Sequence, residues 1–287
     1  MKVAFEYADV NGVAGRFNNE RKSAGKDWLK SFCKRYNHSV RNPERCSVAR
    51  AMGFNEVQVV RFSNNLKSCY LDKKFPARRK FNMDENAIST VPQYNTEGGN
   101  TKMQKDCKIS SAERGQTVTA ICCMIATGVF VPPALILPRK RMNSLSYKDA
   151  PNGTLPLISD TGYMNSHLFI DWLKHFVKHA KPSAEDPVLF TADDHTSRCS
   201  LPAVLFCREN HITFLPPHAS HVLQPLDKCV FAPLKALYSS EAEKWLVQNP
   251  GKVITLYKVS GIFQKAYSAT ARVQLAEKAF RVTGIEP

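Results

Sequence analysis

The chain has 287 residues, 43% of them hydrophobic and 23% charged, with 40 Lys and Arg against 25 Asp and Glu for a net charge of +15. That is enough to bury a full core, with room for a small second unit, and it excludes a wholly disordered chain. The excess charge is concentrated, because residues 1–80 hold 18 basic and 7 acidic residues while the remainder holds 22 and 18. A basic front on a nearly balanced body predicts a polyanion-binding module joined to a unit with another task.

In SAGKDWLKSFCKRYN, Trp28, Leu29, Phe32 and Tyr36 recur at helical spacing and form an apolar face. Lys26, Lys30 and Lys34 form another face, with Arg35 beside them. Like charges at that spacing repel, a cost that a phosphate backbone would remove. The following SVRNPERCSVARA carries Arg41, Arg45 and Arg50 on a loop and short helix. A second helix starts in GFNEVQVVRFSNNL, where Asn55 is the expected N-cap and Gln58 stands at the third helical position. Short helices with interleaved basic and aromatic residues fit a helix-turn-helix DNA-binding domain over 1–72, against the alternative of a small bundle with a solvated basic face. KKFPARRKF has no apolar period, and residues 73–80 are expected to be a basic linker.

From residue 81 to 287 the pattern changes to that of an α/β domain. FNMDENAI predicts a short strand ending in acid. Residues 116–138 carry no charge and imitate a membrane span. Thr127-Gly128 and the pair Pro132-Pro133 break that run, so two buried strands joined by a turn are expected, and no membrane partner. HLFIDWLKHFVKHA is an amphipathic helix with Leu168, Trp172 and Phe176 on one side. Then come strand PVLFTAD, a helix around PAVLFCREN, strand ITFLPP, and helices from about 225 onward, interrupted at NPG. Strands followed by strand–helix–strand and then helices predict a mixed sheet with flanking helices. The nine cysteines form no CxxC and several lie in apolar runs, as reduced, buried thiols do. The opening MKVAFEYADVNG turns polar too early for a secretory signal.

Acids stand where such sheets place their chemistry, just beyond strand ends. Asp84-Glu85 and Asp193-Asp194 follow apolar strands, and Asp227 lies at a helix start in LPPHASHVLQPLDKCVF. Three converging carboxylates are hard ligands that select Mg²⁺ or Mn²⁺, and two such ions would clamp an in-line phosphoryl displacement. Solvated loop starts are the alternative. His195, His218 and His221 lie close in sequence to these acids and are read as groups that support the metal ligands. His175 and His179, flanked by lysines, read as a solvated helix face.

SSAERGQTVTAICC, FVPPALILPRKRM, PVLFTADDHTSR and LPPHASHVLQPLDKCVFAPLK together resemble the DDE superfamily endonuclease domain of pogo/Tigger/Jerky-type transposases and their domesticated descendants. FNNERKSAGKDWLKSFCKRY and VRNPERCSVARAMGFN resemble the second half of the centromere-protein-B-type helix-turn-helix that precedes that domain. The resemblance implies a ribonuclease-H-like fold, cut-and-paste chemistry with two Mg²⁺ or Mn²⁺ ions, double-stranded DNA as partner, and a nuclear location; a homodimer is the expected assembly. By position, the acid of the family's N-x-D-E-T-G motif falls on Asp84, that of D-G-H-x-S-H on Asp193 and that of Q-P-L-D on Asp227, which makes these three the expected catalytic and metal-binding residues. The chain departs from the family at Asn86 and Ala87, at Asp194 in place of glycine and at Arg198 in place of the second histidine. Two functions follow as expectations: a metal-dependent DNA strand-transfer enzyme, weakened by those departures, or a nuclear DNA-binding protein that kept the fold and lost the reaction.

Overall fold

The computed structural model describes residues 1–13, 17–38, 55–72, 74–91, 115–193, 198–215 and 223–286. They fall into two compact units, residues 1–47 and 48–287.

In the first unit, helices α1 (Lys2–Val10) and α2 (Lys26–Arg35) are joined by a run of aromatic rings. Phe5 meets Phe17 at 6.4 Å between centroids, Phe17 meets Trp28 at 5.7 Å, and Trp28 stacks on Phe32 at 5.1 Å. Trp28, Leu29 and Phe32 of the predicted apolar face of α2 are half-buried, whereas Tyr36, just past the helix end, is exposed. Lys26, Lys30, Lys34 and Arg35 are exposed. Asp27 in the first turn of α2 and Lys34 and Arg35 in the last complement the helix dipole.

The second unit begins with helix α3 (Glu56–Asp72), whose start is capped as the sequence predicts: the Gln58 N–H donates to Asn55 Oδ1 at 3.0 Å. Its partners differ from the expectation. Phe62 and Leu66 join the core of the sheet unit, so the helix assigned to the front segment packs with the body. Residues 74–80, expected as linker, are also built in. Phe75 is buried, and Arg79 reaches across the sheet unit to the carbonyls of Ala180 (2.7 Å), Lys181 (3.2 Å) and Asp186, with the Asp186 carboxylate 3.0 Å from Nε.

The sheet contains β1 (Lys80–Ser89), β2 (Thr117–Ile125), β3 (Phe130–Pro138), β4 (Leu155–Ser159), β5 (Val188–Thr191) and β6 (Ile212–Leu215), in the order β4-β3-β2-β1-β5-β6. β1, β2 and β3 form an antiparallel meander, and every other pairing is parallel. This is the mixed α/β sheet the sequence predicts. The uncharged run forms β2 and β3 with a turn at Gly128, where φ is +92° and a Cβ would come within 2.7 Å of Val273 Cα. No described helix is long and apolar enough to cross a membrane.

Alternation along the strands sends two sets of side chains to two helical layers. Phe81, Met83, Phe190 and Ala192 pack with Phe169, Trp172 and Phe176 of α4 (Ser166–Ala180) and Ala203 and Cys207 of α5 (Leu201–Glu209). Ile88, Cys122, Leu135 and Leu189 pack with α3 and with the C-terminal helices α6 (Phe231–Gln248), α7 (Leu256–Thr270) and α8 (Val273–Val282). Asn82, Asp84 and Asn86 share the strand face of Ile88, toward the C-terminal helices.

Arg79→Met keeps the bulk of the side chain and strands the three backbone carbonyls, so it should lower unfolding stability by about 2–4 kcal/mol. Urea denaturation would show a lower midpoint at unchanged slope; an unchanged midpoint would mean that the basic run is a linker after all.

Candidate active site

The site lies where β1 leaves its parallel partner. Lys80, Phe81 and Asn82 pair with Leu189, Phe190 and Thr191. The pairing ends there, two residues before Asp84 on β1 and two before Asp193, which follows β5. Asp84 is thus in the middle of β1, not at the strand end that the sequence predicts, because β1 continues to Ser89 against β2.

Asn82 holds the surrounding segments together. It is fully buried, and its amide nitrogen donates to the Thr191 carbonyl and Oγ1, both at 3.2 Å, and to Gln224 Oε1. Its Oδ1 accepts from the Leu226 N–H at 3.0 Å. Thr191 precedes Asp193 by two residues, and Leu226 precedes Asp227. One side chain therefore fixes the strand bearing Asp84, the strand leading to Asp193 and the turn bearing Asp227. That turn, Leu226–Val230, is a single π-helical turn that runs into α6. Such turns break the regular helical ladder and recur at functional sites.

The electrostatics follow from this placement. Asp84 is only 7% exposed. Burial, then the nearby Asp227 carboxylate, push its pKa up to about 8, although Arg198 and the Glu85 N–H, which donates to Asp84 Oδ1 at 2.7 Å, pull the other way. The repulsion that Asp84 feels from Asp227 is relieved when Asp84 holds a proton or a cation lies nearby.

Arg198 is the other focus. It is 2% exposed, donates from Nη2 to Glu85 Oε1 at 2.6 Å and from Nη1 to Asp193 Oδ1, and leaves Nε without a partner among the described residues. Asp193 is thereby tied to Glu85, the neighbour of Asp84.

Asn82 thus ties β1 to Thr191 and Leu226, which stand close in sequence to Asp193 and Asp227, and Arg198 ties Glu85 to Asp193. Lys26, Lys30, Lys34 and Arg35 lie in the first unit. Arg41, Arg45, Arg50, His195, His218, His221 and Asp194 fall outside the described residues. Among the described residues no group of three or more His, Cys, Asp and Glu has metal-binding geometry. The repulsion that raises the Asp84 pKa is of the kind a divalent cation relieves, whereas Asp193 is engaged by a guanidinium. Asn82, Gln224 and Arg198 carry this arrangement and are not among the residues the sequence singles out as ligands. The available signal was an asparagine in an apolar strand two residues before Asp84, where a buried amide requires partners.

The DDE superfamily endonuclease family matches residues 115–280, a stretch that contains Asp193, Arg198 and Asp227 and begins after β1. A Cochliobolus lunatus protein named MFS-type transporter clz9 is 31% identical over 184 residues, which are 63% of this chain and 20% of that protein. The chain thus spans about a fifth of that curated relative. Among solved structures, the Mos1 transposase paired-end complex with left transposon end has 15% identity and a TM-score of 0.46, covering 94% of this chain and 79% of that one. The catalytic domain of Mos1 mariner transposase has 16% identity and a TM-score of 0.40, covering 81% and 98%.

The raised pKa of Asp84 has a consequence for stability. The folded chain keeps a proton that the unfolded chain releases above the ordinary 3.8, so metal-free stability falls as pH rises from there to about 8. Asp84→Asn removes that loss. Its Tm should match that of the parent near pH 4 and exceed it by several degrees at pH 8 in EDTA, at about 2–4 °C per kcal/mol. A Tm difference independent of pH would refute the buried, proton-holding Asp84.

Proposed function

The chain belongs to the DDE superfamily of endonucleases, and from that membership we propose that it is a transposase-derived DNA-binding protein whose Asp84, Asp193 and Asp227 form a divalent-metal-dependent phosphodiester-cleaving site. The observation that carries the reading is the Asp84–Asp227 pair. A buried carboxylate whose pKa is raised by burial and by a neighbouring acid is what a cation-binding site requires and what a merely structural core avoids.

Each residue has a task in this reading. Asp84 and Asp227 would hold Mg²⁺ or Mn²⁺, and the ion would supply Lewis-acid stabilisation of the phosphoryl oxygens and a more acidic bound water. Asn82 keeps the two carboxylates in register, so that little reorganisation is left for the moment of reaction. Glu85 and Asp193 anchor Arg198, a buried positive charge that acts on Asp84.

Double-stranded DNA is the proposed substrate and partner. The first unit would bind it through Lys26, Lys30, Lys34 and Arg35, with Arg41, Arg45 and Arg50 contributing from the segment that follows. Exposed, closely spaced positive charges suit phosphate contacts, which position a protein without reading sequence. The finer placement, among pogo/Tigger/Jerky-type elements with a centromere-protein-B-type helix-turn-helix, rests on NMDENA, TADDHTSR and QPLD and on the basic front. A nuclear location and a homodimer belong to the same proposal. The second reading, a DNA-binding protein that has lost the reaction, is favoured by one observation: Arg198 holds Asp193.

The test is nicking of supercoiled plasmid. The purified chain should nick with Mn²⁺ and not with EDTA, and Asp84→Asn or Asp227→Asn should lower the rate by about 10²-fold or more while leaving plasmid binding intact. No nicking by the parent, with binding retained, would establish the second reading. For the binding surface, Lys30→Glu with Lys34→Glu should weaken binding alike across unrelated duplexes, and the slope of log affinity against log salt should fall by about 0.9 for each phosphate that is no longer neutralised. Unchanged binding would remove the first unit from the proposal.

A further inference from the structure

The carboxylates of the candidate site differ in their partners. Glu85 and Asp193 are bridged by Arg198, whereas buried Asp84 accepts from the Glu85 N–H and from no guanidinium among the described residues. A guanidinium stays charged at any relevant pH, and its fork is rigid. At 2% exposure it has left water, and the bonds to Glu85 and Asp193 are the ones that hold its ends, since Nε has no partner among the described residues. Removing one partner from a buried ion pair is strongly destabilising, because it leaves an uncompensated charge. A metal ion that claimed the Asp193 oxygen bonded to Arg198 would have to impose that loss.

We propose that Arg198 is the resident cation of the Asp193 side of the site, and that the chain takes one divalent ion, at Asp84 and Asp227, in place of the two expected from its sequence. The inference deepens the proposed function and rests on its metal reading. It gives Arg198 a definite role: the positive charge that a second ion would bring is built into the chain, fixed in position and independent of metal concentration. It also assigns Glu85 as the counter-carboxylate that keeps Arg198 in place, a task for which its position on the strand face opposite to Asp84 suits it.

The test counts ions. Mn²⁺ binding to the full chain, followed by isothermal titration calorimetry and by the electron paramagnetic resonance signal of unbound Mn²⁺, should give one ion per chain. Arg198→Gln should shift the count to two, and Arg198→Lys, which keeps the charge, should hold it at one. Circular dichroism checks the fold of each variant; should Arg198→Gln fail to fold, the parent count and Arg198→Lys still decide. Two ions on the parent, or one on a folded Arg198→Gln, would overturn the proposal and leave the metal-dependent reading standing. No ion on the parent would overturn both.

Discussion

The hydrogen bonds of Asn82 are the constraint on which the arrangement of this site depends. A primary amide in an apolar sheet must find partners or forfeit a few kcal/mol, and Asn82 finds them on two segments far from it in sequence, at Thr191 and at Gln224 and Leu226. Because Thr191, Gln224 and Leu226 each lie one to three residues from an acid, satisfying one amide also sets the relative positions of Asp84, Asp193 and Asp227. The parallel pairing of β1 with β5 supplies the second coordinate, since it ends at Asn82 and Thr191, each two residues before an acid. The geometry of the carboxylates is thus a by-product of satisfying backbone and amide groups, which is why it can persist although the acids repel.

That repulsion is the local price of function. The sheet around Asp84 is otherwise filled by Met83, Cys122, Cys123 and Leu189, all buried, and an acid among them is tolerated only with a proton, a cation or a nearby guanidinium. Arg198 supplies part of the compensation, and its charge reaches Asp84 as well as its two bonded partners. The departure from the family pattern at residue 198 therefore changes the charge at the centre of the site, and a motif comparison registers it only as a mismatch.

Much of the fold was legible in the sequence because it rests on local pattern. Trp172 and Phe176 at helical spacing announced α4, Thr127-Gly128 announced the turn between β2 and β3, and Asn55 announced the start of α3. What escaped is non-local. The basic run at 73–80 looks like a solvated linker until Arg79 meets carbonyls about a hundred residues further on. The five-residue edge strand β4 gives too short a signal, with only Leu157 fully buried. α3 was assigned to the front because its periodicity says nothing about which core receives Phe62 and Leu66. At the site, the three acids could be named from their motifs and Arg198 as a departure from them, but the partners of Asn82 and Arg198 could not, since both depend on which strands become neighbours.

The central claim is that Asp84 and Asp227 form a cation-binding pair. It is tested most directly by anomalous scattering from crystals of the chain grown with Mn²⁺. The account predicts a manganese peak bonded to carboxylate oxygens of both residues. Crystals saturated with Mn²⁺ that show no peak there, or a peak bound only by surface carboxylates elsewhere, would contradict it.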